Sequence, residues 1–160
     1  MKVVVITVSD RASRGEYEDL SGPEIQRILS DEFGNDLSCQ GVVVPDENDR
    51  ICDSLDRAES GDNPADAVIT TGGTGIGPRD ITPDVSRTWC DKELPGIAEM
   101  LRAESYKETA TAVLSRGFAG VKGNTLLINF PGSLKAVKLC TRLIIPILRH
   151  APGMLDGRGH

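Results

Sequence analysis

Short runs of apolar residues, separated by polar and turn-forming segments, mark the strands of this chain. Residues 2–8, 39–44, 66–69 and 125–130 are four such runs. The first is β-branched and unbroken, which is typical of a strand covered on both faces of a sheet, and residues 66–69 read as a buried strand. Parallel strands need crossover connections, and amphipathic helical segments lie between these runs. The pattern therefore predicts an α/β fold with three layers, α/β/α, around a mostly parallel sheet.

Apolar residues at helical spacing, together with capping signals, mark the helices. We expect Ser21, in a Ser-x-x-Glu capping box, to cap the first long helix, and Thr82 and Ser133 to cap two later ones. Pro146 is expected to kink the last helix, and the tail from Pro152 onward to be frayed. The segment between the last two strands has no clean period, and its glycines indicate a further loop.

Composition limits the classes of function. A net charge of −6 argues against a protein that binds duplex nucleic acid, and an aromatic content of 4% leaves few platforms for stacking single strands. No apolar run approaches the ~20 residues of a membrane span. The four cysteines have no Cys-x-x-Cys pair, which favours reduced thiols in a cytoplasmic protein. At 160 residues, we expect a single domain over residues 1–160.

A glycine-rich loop follows the third predicted strand. Residues 70–84 read Thr-Thr-Gly-Gly-Thr-Gly-Ile-Gly-Pro-Arg-Asp-Ile-Thr-Pro-Asp, so a strand leads through four glycines to a helix N-terminus. Glycine permits positive φ and leaves backbone N–H groups accessible to an anion. A tight crossover without a ligand is the alternative. The threonines, Arg79 and Asp80 in the same loop favour a ligand site.

Polar residues also follow the other predicted strands. Ser9, Asp10 and Arg11 come after the first strand, where they either contact a ligand or form a solvated loop with an internal ion pair. Asp46 comes after the second strand, where helix capping and ligand binding are both open. Residues 131–133 lead from the last strand into a helix. Because the carboxyl ends of parallel strands meet at one edge, we expect these loops to converge.

The charged residues of these loops indicate phosphate chemistry. Backbone amides and arginines bind phosphates, and carboxylates beside phosphates favour Mg²⁺, whose preference for oxygen ligands joins the two. A P-loop is excluded because Gly-Lys-Ser/Thr does not occur. The loops therefore predict a nucleotide or phospho-ligand enzyme that uses Mg²⁺. The charged residues are Asp10, Arg11, Asp46, Arg79, Asp80 and Arg116.

Six motifs occur in order along nearly the whole chain. They are Ser9-Asp10-Arg11-x-Ser13-x-Gly15, Asp19-x-Ser21-Gly22, Val44-Pro45-Asp46, Thr71-Gly72-Gly73-Thr74-Gly75-x-x-x-Arg79-Asp80-x-Thr82-Pro83, Leu114-Ser115-Arg116 and Asn129-x-Pro131-Gly132-Ser133. In this combination the chain resembles the molybdopterin adenylyltransferase family, MogA/MoaB, which includes gephyrin-like G domains. The resemblance implies an enzyme of molybdenum cofactor biosynthesis that adenylylates molybdopterin with Mg-ATP and releases pyrophosphate. It also implies a homotrimer, and leaves open whether a molybdenum-insertion enzyme docks on it.

The resemblance places Asp46 and Asp80 at the family's two catalytic acidic positions. The nucleophile would be the terminal phosphate of molybdopterin, which is ionised at neutral pH, so a general base is hardly needed. We therefore expect both aspartates to bind Mg²⁺ and to position the in-line attack on the α-phosphate. The positions expected to bind nucleotide or pterin are Ser9, Asp10, Arg11, Thr71, Gly72, Gly73, Thr74, Gly75, Arg79, Ser115, Arg116, Pro131, Gly132 and Ser133.

Two other functions stay open. One is a non-catalytic molybdopterin-binding or scaffold protein of the MoaB type, since members of that branch do not all act as the adenylyltransferase. The other is a different nucleotide-dependent transferase of the same architecture. Asp46 and Asp80 favour the enzyme, because a pure scaffold has no need of Mg²⁺ ligands.

Overall fold

The computed structural model, which describes residues 1–157, contains a six-stranded sheet with helices on both faces. Its strands are β1 (Lys2–Val8), β2 (Ser38–Val44), β3 (Ala67–Thr71), β4 (Lys92–Glu93), β5 (Ala119–Lys122) and β6 (Thr125–Phe130). Their order in the sheet is β2-β1-β3-β6-β5-β4. The neighbouring strands β2, β1, β3 and β6 are parallel, whereas β5 is antiparallel to both β6 and β4. The predicted mostly parallel α/β/α fold is confirmed.

Helices connect the strands and cover the sheet. They are α1 (Asp10–Ser13), α2 (Ser21–Phe33), α3 (Asn48–Glu59), α4 (Thr82–Trp89), α5 (Pro95–Glu108) and α6 (Leu134–Leu155), with 3-10 turns at Gly34–Asp36 and Ala110–Leu114. Among residues 1–157, no helix is both long and apolar enough to cross a membrane.

Alternate side chains of the strands supply two cores, one on each face of the sheet. In β1, Val3 and Val5 face the core formed with α2, α5 and α6, while Ile6 and Val8 face the core formed with α3 and α4. Burial on both faces is the reason β1, β3 and β6 read as apolar runs in the sequence, whereas β2, at the edge of the sheet, is mostly exposed. That residues 1–160 form a single domain stays a prediction.

The order of the strands creates a crevice at the carboxyl edge of the sheet. The chain leaves β1 for β2 on one side and later enters β3 on the other side of β1. The loops that follow β1 and β3 therefore diverge, and such a switch point is where open α/β sheets bind ligands. The glycine loop follows β3 directly, so the fold places it at this crevice.

The sequence did not predict β4 and β5, and the interpretation of this region as a loop is wrong for residues 119–122. Both strands are short, and Gly120 interrupts the apolar pattern of β5. A Cβ on Gly120 would lie 2.6 Å from the carbonyl oxygen of Lys92 in β4. The glycine therefore permits the close approach of the edge strand rather than forming a ligand loop.

Two predicted helix caps are wrong. At α2, the Asp19 carboxylate accepts the N–H groups of Ser21 and Gly22, both at 3.0 Å, while the Ser21 hydroxyl donates to a distant carbonyl. At α4, Ile81 occupies the N-cap position and Thr82 already belongs to the helix. The predicted cap of α6 is confirmed, because Ser133 Oγ accepts the Ala136 N–H at 3.3 Å.

The last helix is longer than predicted. It continues through both Pro146 and Pro152 to Leu155, so the predicted fraying is wrong as far as Leu155. The predicted tail also includes residues 158–160, which lie outside the described residues.

Candidate active site

The glycine loop begins with two residues that need positive φ. Gly72 has φ 101° and Gly73 has φ 60°. A Cβ on Gly72 would lie 2.3 Å from the carbonyl oxygen of Val8 at the end of β1. Both positions therefore favour glycine, because each has a positive φ and a Cβ would meet backbone at Gly72 and the side chains of Thr82 and Asp46 at Gly73. The loop is held tightly against the first strand as a result.

Asp46 lies at the base of this loop and is held by the backbone of α1. Its Oδ2 accepts the Asp10 N–H at 2.8 Å, and its own N–H donates to Asp10 Oδ1 at 3.1 Å. Its second oxygen, Oδ1, lies 2.9 Å from the position that a Cβ on Gly73 would occupy. The carboxylate therefore presents one oxygen to the glycine loop. Glu47, not Asp46, is the N-cap of α3, so the capping alternative is wrong.

Asp80 lies against the same loop. Its Oδ2 accepts the Gly77 N–H at 2.8 Å and lies 2.8 Å from the position that a Cβ on Gly75 would occupy. Both predicted catalytic carboxylates thus face the glycine loop, as the predicted chemistry requires.

Asp10 and Arg79 form an ion pair across the crevice. Arg79 Nη2 donates to both carboxylate oxygens of Asp10, at 2.9 and 2.8 Å. Burial opposes ionisation of Asp10, but the hydrogen bonds from Arg79 and from the Asp46 N–H outweigh it and lower the pKa of this carboxyl. Asp10 therefore stays ionised and connects Arg79 to Asp46.

Asp46 itself carries an unfavourable charge. Burial raises the pKa of the Asp46 carboxyl, and the negative charges of Asp10 and Asp80 raise it further. The hydrogen bond from the Asp10 N–H and the positive charge of Arg79 lower this pKa, but they do not outweigh the first group. A bound cation would relieve this excess of negative charge. Among residues 1–157, no cluster of three or more His, Cys, Asp or Glu could hold a metal. Asp46 and Asp80 fit a cation whose remaining ligands are other oxygens.

Thr82 places a hydroxyl beside these carboxylates. The residue is fully buried, and its Oγ1 has no hydrogen-bond partner in the described part of the chain. This oxygen lies 2.5 Å from the position that a Cβ on Gly73 would occupy, next to Asp46 Oδ1. Buried hydroxyls are normally hydrogen-bonded, so the lack of a partner for this hydroxyl in the described part of the chain needs an explanation.

Arg116 holds the two ends of the loop together. Its Nε donates to the Gly75 carbonyl at 2.9 Å, its Nη2 donates to the Asp80 carbonyl, and its guanidinium forms a bidentate pair with Asp84. Its backbone N–H donates to the Thr74 carbonyl at 2.8 Å. These protein groups occupy the guanidinium, so Arg116 supports the loop from behind.

A groove of about 600 Å³ lies on the other side of the loop. The first turn of α6 and the segment from α5 to the following 3-10 turn form its remaining walls. Its surface combines apolar residues with three cations. The lining includes Thr74, Gly75, Ile76, Ala112, Leu114, Ser115, Pro131, Ser133, Lys135, Ala136, Lys138, Leu139 and Arg142.

The cations of the groove differ in their partners. Lys135 pairs with Glu108 at 2.9 Å, and Lys138 lies 3.7 Å from Glu24. Arg142 forms no ion pair with any residue among 1–157. It is therefore the cation most available to an anionic ligand.

The turn at residues 131–133 is tied to two other elements. The Thr71 hydroxyl donates to the Pro131 carbonyl at 2.8 Å, and the Ser21 hydroxyl donates to the Gly132 carbonyl at 2.9 Å. Thr71 is buried and its hydroxyl is used in this bond. It therefore fixes the position of the groove wall, whereas the sequence suggested a direct ligand contact.

The structure brings the predicted positions to one edge of the sheet, where the side chains of Ser9 and Arg11 contact neighbouring residues. Ser9 caps α1 by accepting the Ala12 N–H at 3.2 Å. The exposed guanidinium of Arg11 lies 5.2 Å from the centre of the Tyr17 ring. Sequence reasoning missed Ile76, Leu114 and Arg142 as lining residues. Ile76 and Leu114 lie within two of the motifs, which could have indicated them, whereas Arg142 lies in none of the motifs.

These features define a class of protein, an open α/β domain with a glycine loop and a carboxylate pair at its switch point. Comparison with known proteins makes the assignment specific. The family described as a probable molybdopterin binding domain matches residues 4–150, and the chain belongs to this family.

Individual relatives extend the likeness over nearly the full chain. A Helicobacter pylori protein named molybdopterin adenylyltransferase is 42% identical over 153 residues, covering 96% of this chain and 86% of that protein. The crystal structure of the molybdopterin biosynthesis enzyme MoaB from Thermus thermophilus is 37% identical, with a TM-score of 0.86 over 99% of this chain and 98% of that one. A MogA structure is 36% identical, with a TM-score of 0.88 over 97% of this chain and 99% of that one.

Proposed function

We infer that this protein is a molybdopterin adenylyltransferase of molybdenum cofactor biosynthesis, a nucleotidyltransferase whose substrates are molybdopterin and ATP. The likeness over nearly the full chain to a relative of that name carries the inference. The geometry supports it, because Asp46 and Asp80 both lie against a glycine loop at the switch point of the sheet.

The groove is the proposed site of the pterin. Its apolar residues suit the faces of a flat heterocycle, and Arg142 with the two lysines suits a phosphate. Ser133 opens α6, so the backbone N–H groups of that first turn add donors for an anion. The glycine loop, which separates the groove from the aspartates, is then placed to contact the phosphates of both substrates.

Asp46 and Asp80 are the proposed ligands of Mg²⁺. The cation would neutralise charge on the phosphates of ATP and on the pyrophosphate leaving group. The raised pKa of Asp46, caused by burial and by neighbouring negative charge, supports a cation at this place. Arg79 stays paired with Asp10 and fixes the Asp46 backbone.

The protein's own task is positioning. The terminal phosphate of molybdopterin is ionised at neutral pH and attacks the α-phosphate of ATP, forming the new P–O–P bond as the bond to pyrophosphate breaks. No side chain has to remove a proton. Holding the two phosphates in line therefore accounts for the rate acceleration that these residues supply.

Incubation with molybdopterin, ATP and Mg²⁺ tests the function directly. We expect adenylyl-molybdopterin and pyrophosphate from the wild-type protein. Asp80→Asn should lower turnover by about 100-fold or more while molybdopterin still binds. Asp62→Asn is the matched control, because this exposed aspartate lies before β3, at the opposite edge of the sheet.

Each other outcome points to a different function. Molybdopterin binding without product would support the non-catalytic binding or scaffold function. Absence of both would support a different nucleotide-dependent transferase. Loss of pterin binding in Asp80→Asn, with normal turnover at saturation, would contradict the role proposed for this carboxylate.

We also propose that the protein is a homotrimer, on the family resemblance. Sedimentation equilibrium should then give a mass of about three times the 17.2 kDa of the chain. A monomer mass at micromolar concentration would contradict this proposal.

A further inference from the structure

The unpaired hydroxyl of Thr82 is the least explained polar group near the site. Thr82 has no exposed surface, and its Oγ1 has no hydrogen-bond partner among residues 1–157. It lies 2.5 Å from the position of a Cβ on Gly73, and Asp46 Oδ1 lies 2.9 Å from that same position. Two oxygens that have no hydrogen bond among residues 1–157 therefore converge on one glycine.

A structural role does not account for this hydroxyl. It does not cap α4, since Ile81 occupies the N-cap position. Its backbone N–H already ties the helix to the loop by donating to the Gly73 carbonyl at 3.2 Å. Burying a hydroxyl without a partner destabilises the folded state, and a valine of almost the same shape would avoid that cost.

We propose that Thr82 is a further oxygen ligand of the divalent cation held by Asp46 and Asp80. This inference rests on the proposed function, because it adds a third residue to the same cation site. Threonine and serine hydroxyls bind Mg²⁺ in other phosphate-binding sites. Three separate segments then supply the set: the end of β2 through Asp46, the loop through Asp80, and the first turn of α4 through Thr82.

Mn²⁺ binding in the absence of ATP gives the first test, with a readout independent of turnover. Isothermal titration should show Thr82→Val binding Mn²⁺ at least about 10-fold more weakly than wild type. Thr82→Ser, which keeps the hydroxyl, should bind within about 3-fold of wild type. Equal affinity of Thr82→Val and wild type would overturn the proposal.

A change of ligand type separates direct ligation from an indirect effect on Asp46. A thiol prefers softer metals than a hydroxyl does. Thr82→Cys should therefore lose Mn²⁺ affinity and gain Cd²⁺ affinity relative to Thr82→Ser, which contains the same four native cysteines. Equal Cd²⁺ affinity of the two variants would show that residue 82 does not touch the metal.

Thermal stability provides a control for folding. In EDTA, Thr82→Val should melt about 2–4 °C higher than wild type, because the unpaired hydroxyl is gone. At the same concentration, Mn²⁺ should raise the melting temperature of wild type more than that of Thr82→Val. A lower melting temperature of Thr82→Val in EDTA would identify the hydroxyl as structural and overturn the proposal.

Failure of this inference is distinguishable from failure of the proposed function. If wild type binds Mn²⁺ and adenylylates molybdopterin but Thr82→Val binds Mn²⁺ equally well, only the role of Thr82 is wrong. If wild type binds no Mn²⁺ at all, the cation site of Asp46 and Asp80 fails together with Thr82.

Discussion

Asp46 combines burial with two negative neighbours, so its charge destabilises the folded protein. Its pKa is raised in the folded state, chiefly by burial. The folded state therefore binds more protons than the unfolded state between the two pKa values, and the free energy of unfolding falls as pH rises through that window. The penalty is fully present at neutral pH and disappears in acid.

Replacing Asp46 with asparagine should therefore stabilise the metal-free protein at neutral pH. The amide oxygen can still accept the Asp10 N–H, and no buried charge remains. We expect a higher melting temperature than wild type at pH 7 in EDTA, with the difference shrinking as pH is lowered. Thermal melts from about pH 3 to about pH 8 test this. A melting temperature below wild type at neutral pH would contradict it.

The side chain of Arg116 has a geometry that lysine cannot reproduce. Its planar guanidinium reaches two carbonyls and the Asp84 carboxylate at once. In Arg116→Lys we expect turnover to fall by about 10- to 100-fold, because Asp80 loses its fixed position.

Stability should change much less in Arg116→Lys. The Arg116 side chain is 40% exposed, so solvent screening limits the cost to about 1 kcal/mol or less. Arg27→Lys is the matched control, because Arg27 pairs with Glu24 and Asp31 on the surface of α2. Equal losses of turnover in both variants would contradict the specific role of Arg116.

At the scale of elements, the junction of β1, β3 and the glycine loop is the most constrained part of the site. Gly72→Ala should destabilise the protein by about 3 kcal/mol, since its Cβ would meet the Val8 carbonyl at positive φ. Chemical denaturation measures this free energy of unfolding. Gly96→Ala, in the first turn of α5 with open space around a Cβ, should be neutral or slightly stabilising.

The sequence predicted the elements whose signals are local and missed those that depend on tertiary contacts. Strands β1, β3 and β6 appear as apolar runs because both of their faces are buried, whereas the edge strand β2 also reads as an apolar run although most of it is exposed. Ser21 reads as a capping residue, but its hydroxyl bonds Gly132, which is 111 residues away. Asp19, two positions earlier and also of a capping residue type, accepts the N–H groups of Ser21 and Gly22 instead.

The same limit applies to the site. Asp46, Asp80 and the glycines follow strand ends, so topology alone brings them together, as predicted. Arginine side chains reach far enough to choose among several partners, so the sequence could not show that Asp10 pairs with Arg79 or that Asp84 pairs with Arg116. The walls of the groove come from a segment without periodicity, whose placement depends on packing against α6.

For the whole molecule, net charge and local charge have opposite signs. The chain carries −6 overall, yet the groove contains two lysines and Arg142. Because substrates with phosphates are anionic, the cations of the groove must offset the repulsion of the rest of the surface.

Neutralising Arg142 should therefore weaken substrate capture. We expect Arg142→Gln to raise KM for molybdopterin about 5-fold at low ionic strength, with a smaller difference in high salt. Arg57→Gln, an exposed arginine at the end of α3, is the control and should leave KM unchanged. A salt-independent change in KM would argue against an electrostatic cause. Steady-state kinetics at several salt concentrations measure both variants.

The single tryptophan of the chain ends α4, the helix that begins at Thr82. Its indole N–H donates to Asp56 at 2.8 Å, and the Lys122 ammonium lies 4.8 Å from the ring centre. Emission from an indole in such surroundings is sensitive to small displacements of the charges around it. The helix is eight residues long, about 12 Å, with Thr82 at one end and this fluorophore at the other. Ion or nucleotide capture that shifts α4 can therefore be followed by intrinsic fluorescence, without any label on the protein.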